Sequence, residues 1–195
     1  MSDTAERNIR VIGFTGMPGA GKSEAVSVAR SMGFEIFSMG DVVRCAASGR
    51  RVPLDDPSVG AFATEERRIH GKDVWAKRTA EKIRADGSRN IVIDGIRSID
   101  EIDFFRREFG RDFVLIAIHT KSEARLDRIL KRAREDDVRS MRELENRDTR
   151  ELGWGIGSAI AKADIMVVND STLEEFRERV KETLLSLKAD AGGSP

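Results

Sequence analysis

What this chain lacks narrows its roles before any motif is read. Its 34 basic residues are cancelled by 34 acidic ones, so no global field draws it to nucleic acid or to an anionic membrane. Neither is expected as a general partner, and any anion site has to be built locally. Cysteine occurs once, at Cys45, which excludes a disulfide framework and a thiolate metal site. That usage fits a reduced, intracellular protein, and the lone thiol is expected to pack as a small hydrophobe. Long apolar runs are missing too: Phe113 to Ile118 is the longest, far too short to cross a bilayer. The opening residues "MSDTAERNIR" hold no apolar signal core, so a cytoplasmic location is expected. There is no repeat, low-complexity tract or linker, and the 195 residues, 39% of them hydrophobic, read as one domain with a sizeable core.

What is present is an alternation. Short apolar runs at 11–15, 34–38, 90–94, 113–120 and 164–168 are nearly continuous, as in strands covered by helices on both faces. Helical patterns at 23–32, 72–85, 99–109, 122–133 and 173–187 lie between or after them. Ser122 and Ser171 are placed as helix caps. The expected fold is α/β, a parallel sheet with right-handed crossovers, with ligands at the carboxyl ends of its strands. Two connections, 40–89 and 134–163, are longer than a crossover requires and suggest functional lobes.

The first run leads into Gly16-Met17-Pro18-Gly19-Ala20-Gly21-Lys22-Ser23, a full match to the phosphate-loop pattern between a strand and a helix. Glycines let the backbone turn its N–H groups around a phosphate, and the helix contributes its positive end. Residues 16–24, Glu24 included, are therefore the expected ATP-binding segment. Lys22 is placed to reach the β- and γ-phosphates and Ser23 to ligate Mg2+. Asp94, an acid closing an apolar strand, is the expected second anchor of the metal shell. Gly95 beside it would let a phosphate approach.

Four further segments resemble nucleoside monophosphate kinases. "FSMGDVVRCAA" (37–47) is similar to the segment after the second strand of adenylate kinases, and the resemblance makes Arg44 a grip on the acceptor phosphate. "IDGIRS" (93–98) resembles that family's Asp-Gly-Phe-Pro-Arg stretch, one residue shorter, and assigns Arg97 as a second clamp. "DRILKRAR" (127–134) resembles the helix leading into the lid, which would put Arg128 against the donor base and Arg132 at the transferring phosphoryl. "ADIMVVNDSTLEEF" (163–176) looks like the end of dephospho-coenzyme A kinases. The ensemble resembles an archaeal, uncharacterised adenylate-kinase-related branch. It implies a P-loop kinase fold with a five-stranded sheet in the order 2-3-1-4-5, core 9–39, 90–133 and 154–189, acceptor lobe 40–89 and short lid 134–153. It also implies Mg2+-dependent transfer from ATP to a small phosphorylated acceptor, by a monomer or homodimer. The rival expectation is a slow ATPase acting as a nucleotide-dependent assembly factor, kept open by the shortened segment at Ile96–Arg97.

Other residues allow two readings. In the lid, Arg134, Arg139, Arg142, Arg147 and Arg150 sit among acids and fit either a closing segment or a solvated helix of ion pairs. Asp41 fits an acceptor role or, slightly better, the cap of a helix starting at Val42. His70 reads as a surface residue and His119 as structural. Trp75 and Trp154 are candidates for acceptor-lobe packing and a base platform, with core packing the stronger prior for both.

Overall fold

The computed structural model describes residues 10–132 and 140–189. Five strands, β1 (Arg10–Thr15), β2 (Glu35–Ser38), β3 (Asn90–Asp94), β4 (Phe113–His119) and β5 (Ile165–Val168), pair in parallel in the order β2-β3-β1-β4-β5. This is the expected order. The helices are α1 (Lys22–Ser31), α2 (Met39–Gly49), α3 (Asp56–His70), α4 (Val74–Asp86), α5 (Ile99–Phe109), α6 (Ser122–Arg132), α7 (Met141–Trp154), α8 (Ile156–Ala161) and α9 (Leu173–Ala189).

Period-two alternation in the strands builds two cores. Val11, Ile91, Ile93 and Leu115 face α2, α4 and α5, with the fully buried Trp75 on that side. Ile12, Phe14, Val92, Ile116 and Ile118 face α1 and α9 through Ala25, Ala29, Phe176 and Leu184. The register sets Phe14 beside Asp94 and Asp94 beside Ser38, so the ends of β1, β2 and β3 converge on one edge. The long 40–89 connection is α2, α3 and α4. No helix among the described residues is long and apolar enough to cross a membrane.

Three local expectations are corrected. Cys45 is exposed, because the buried stripe of α2 runs through Met39, Val42, Val43 and Ala47 and leaves position 45 on the opposite side. Asp41 is not a cap: the helix starts at Met39, Ser38 caps it by accepting from the Asp41 backbone N–H, and the Asp41 carboxylate pairs with Arg44. At α9 the cap is Thr172 rather than Ser171. Thr172 Oγ1 accepts from Glu175 N at 3.3 Å while Glu175 Oε2 accepts from Thr172 N at 3.1 Å, a reciprocal capping box.

Candidate functional site

The loop between β1 and α1 is shaped by segments far along the chain. Gly16 has φ 144° and Gly21 φ 114°, a region costly for other residues. A Cβ on Gly16 would collide with the Ile118 carbonyl, and one on Gly21 with the Asn169 amide. Asn169 Nδ2 donates to Ala20 O at 2.9 Å, and Arg125 Nη1 donates to Pro18 O at 3.2 Å. Arg125 is itself held by both oxygens of Asp148, at 2.8 and 2.5 Å. No side-chain hydrogen bond caps α1, and the positive end of such a helix favours an anion beside it.

Lys22 Nζ folds back into that hollow, donating to Gly16 O at 2.5 Å and Met17 O at 3.2 Å. Burial lowers its pKa to about 8, while Asp94 pulls the other way. Asp94 Oδ1 is buried with no hydrogen-bond partner, and such an oxygen is costly unless something is meant to meet it. Among the described residues no three His, Cys, Asp or Glu side chains cluster as a metal site. Magnesium does not need one, since it is held by one or two protein oxygens, waters and substrate phosphates. The Ser23 hydroxyl and the orphaned Asp94 oxygen fit that donor set. Arg128 lies on the other flank, donating to Ala20 O at 3.5 Å and Asn169 O at 3.1 Å. Glu24 lines the cleft and accepts from Arg177 at 2.6 Å.

The loop opens into a cleft of about 1180 Å³ whose lining also includes Arg44, Asp94, Gly95, Arg97, Arg128 and Arg147. The structure thus gathers the loop residues with Arg44, Asp94, Gly95, Arg97 and Arg128. The Arg132 side chain, Arg134 and Arg139 lie outside the described residues. Arg142 is exposed, as are His70 and His119. Trp75 is core, as expected.

One residue that sequence reasoning passed over sits at the centre. Glu151, on α7, is 2% exposed and accepts from Arg97 Nε at 2.6 Å. Burial would raise its pKa, but Arg97, Arg147 and Lys22 together hold it below the usual carboxylate value. For Arg97 burial is likewise the largest influence and opposes the charge, yet Glu151, Glu101 and Asp94 more than offset it. Arg97 is further fixed by its backbone N–H to Glu101 Oε2 at 2.7 Å and by Nη1 to Gly95 O at 3.2 Å. Beyond Arg97 a smaller chamber opens among α2, α3 and α7, lined by Arg44, Arg67, Arg97, Arg147, Arg150 and Trp154 among others. Arg67 lies over the Trp154 ring at 4.5 Å from its centre, with Arg150 at 5.6 Å and Arg97 at 5.7 Å. Trp154 is half-buried, packed against the edge of the core as expected and contacted by these arginines; it is not among the residues that line the donor cleft.

With this geometry in view, the likenesses to known proteins take on weight. Residues 15–146 match the family model described as AAA domain. A UPF0200 protein of Thermoplasma volcanium is 52% identical over 170 residues, covering 87% of this chain and 93% of the relative. Among solved structures, TT1252 from Thermus thermophilus superposes with a TM-score of 0.64 at 20% identity, over 92% of this chain and 98% of that one. A shikimate kinase from Acinetobacter baumannii, solved with shikimate, gives 0.61 at 12% identity over 97% and 98%. At such identities the structures speak for the fold, which is that of P-loop kinases.

Proposed function

The chain belongs to the AAA-domain family and to the archaeal UPF0200 proteins, and from that premise we propose that it transfers the γ-phosphoryl group of ATP to a small phosphorylated acceptor. The observation that carries this reading is that the phosphate loop does not stand alone. Its cleft runs directly into the arginine-lined chamber, and the two share Gly40, Arg44, Leu54, Arg97, Arg147 and Glu151. A transferase needs two anion sites side by side, whereas a nucleotide-driven switch needs one.

The loop N–H groups and Lys22 hold the β- and γ-phosphates, with Ser23 and Asp94 the residues that would hold Mg2+. When bound, the ion supplies charge neutralisation at the β- and γ-oxygens. Arg128 borders the donor, and Arg132, one helical turn on, is assigned to the transferring phosphoryl. Arg44 and Arg97 grip the acceptor, and Gly95 lets it come close to the strand end. An acceptor oxygen attacks the γ-phosphorus, the bond to the bridging oxygen breaks, and ADP leaves. Little covalent help is needed beyond position and charge. In this reading 40–89 is the acceptor lobe and 134–153 the lid, and the protein works in the cytoplasm.

The test is ADP production from Mg-ATP, with and without a panel of nucleoside monophosphates and dephospho-coenzyme A. The expected outcome is a large rise with one acceptor and a phosphorylated product by mass spectrometry. A slow rate that no acceptor changes would favour the slow ATPase instead.

A further inference from the structure

The inner chamber has dimensions and chemistry of its own. Its volume is about 50 Å³. On this measure a water needs about 10–15 Å³, so the space holds about three to five waters. That is room for a carboxylate or a phosphate group. Five arginines, Arg44, Arg67, Arg97, Arg147 and Arg150, line the wall together with Asp56 and Glu151. Asp56 is shared by two arginines of α7, with Arg150 Nη2 at 2.6 Å and Arg147 Nε at 3.4 Å. Arg67 is 8% exposed and pairs through Nη2 with Glu101 at 2.9 Å, yet its Nε is buried with no hydrogen-bond partner, as is Arg150 Nε. Three guanidinium groups also crowd one face of the fold around the Trp154 ring. Ring contact offsets part of their desolvation, but like charges gathered away from water are costly, and an anion in the chamber would relieve that cost.

We propose that this chamber binds a second anionic group of the acceptor, a carboxylate or a phosphate, remote from the oxygen that receives the phosphoryl group. The word acceptor rests on the transfer reading above; the anion site itself does not. Arg67 and Arg150 supply the donors, and both are held against the Trp154 ring. Gly60 contributes by what it omits: a Cβ there would stand 2.7 Å from Arg150 Nε, so a side chain at this position would displace the guanidinium.

Tryptophan fluorescence reads the chamber through Trp154 in its wall, with Trp75 fully buried behind it. With Mg2+ and a non-hydrolysable ATP analogue filling the loop, inorganic phosphate and acetate are titrated separately. A saturable change with either anion is expected, abolished by Trp154→Phe. Its midpoint should rise at least tenfold in Arg150→Gln, and also in Gly60→Ala, which removes no charge. Analogue affinity should stay as in the wild type. The anion with the lower midpoint identifies the group. The proposal is overturned if neither anion gives a saturable response, or if Arg150→Gln and Gly60→Ala leave the midpoint unmoved. Failure of the donor reading would look different: the analogue would not bind, while an anion response that depends on Arg150 would still support the chamber.

Discussion

Glu151→Gln tests the electrostatics of the whole cleft with one atom's change. The side chain keeps its shape and an acceptor for Arg97 Nε, but the carboxylate on α7 that interacts with Lys22, Arg97 and Arg147 becomes neutral. Removing one partner of a buried ion pair costs about 3–5 kcal/mol. The retained hydrogen bond returns about 1 kcal/mol, leaving a loss of about 2–4 kcal/mol. For a chain of this length each kcal/mol moves Tm by about 2–4 °C, so thermal unfolding should come roughly 5–15 °C earlier. The same change removes one of the cleft's internal counter-charges, so an external anion should partly replace it. Inorganic phosphate at 100 times its Kd stabilises by about 2.7 kcal/mol, and because the variant binds it more tightly, the rescue at equal concentration should exceed that of the wild type. Differential scanning fluorimetry over a phosphate series measures both effects. A Tm within about 1 °C of the wild type, or an equal phosphate shift in the two proteins, would show that Glu151 does not balance these cations.

Three other outcomes follow from the donor and acceptor assignments. The pKa of Lys22 near 8 means that above this pH the free lysine is neutral and must take up a proton to meet a phosphate, so nucleotide affinity should fall about tenfold per pH unit between 8 and 10. Calorimetry in buffers of different ionisation enthalpy would detect the uptake at pH 9 and none at pH 7; equal affinities at both would refute the shift. Lys22→Ala should abolish transfer by several orders of magnitude, measured as acceptor-dependent ADP release. Arg44→Ala should spare ATP binding and raise the acceptor KM, and unchanged acceptor kinetics would remove Arg44 from that site.

What could be read in advance was what lies close together along the chain. The loop is eight consecutive residues, and Asp94 closes a strand, so both were legible from spacing alone. The strand Asn90–Asp94 and the helix Ile99–Phe109 fall where the apolar pattern placed them. The chamber was not legible, because its bonds join residues without local pattern: Arg97 meets Glu151 across 54 positions, Arg67 meets Glu101 across 34 and Arg150 meets Asp56 across 94. In a chain where 35% of residues are charged, each of these reads as one more surface ion. Cys45 was misplaced for the converse reason: residue type suggests burial, but the helical phase of its neighbours decides it.

The phosphate loop comes early in the chain but is finished late. Its walls are Ile118, Arg125 and Asn169, and Arg125 in turn depends on Asp148. A ribosome that has delivered residues 16–23 has therefore delivered an unformed site, which cannot close until β5 and the turn after it have emerged. Nucleotide binding is for this reason a report that β5 and the turn after it have folded onto the loop. A chain truncated before Asn169 should be as blind to nucleotide as one that lost the loop itself.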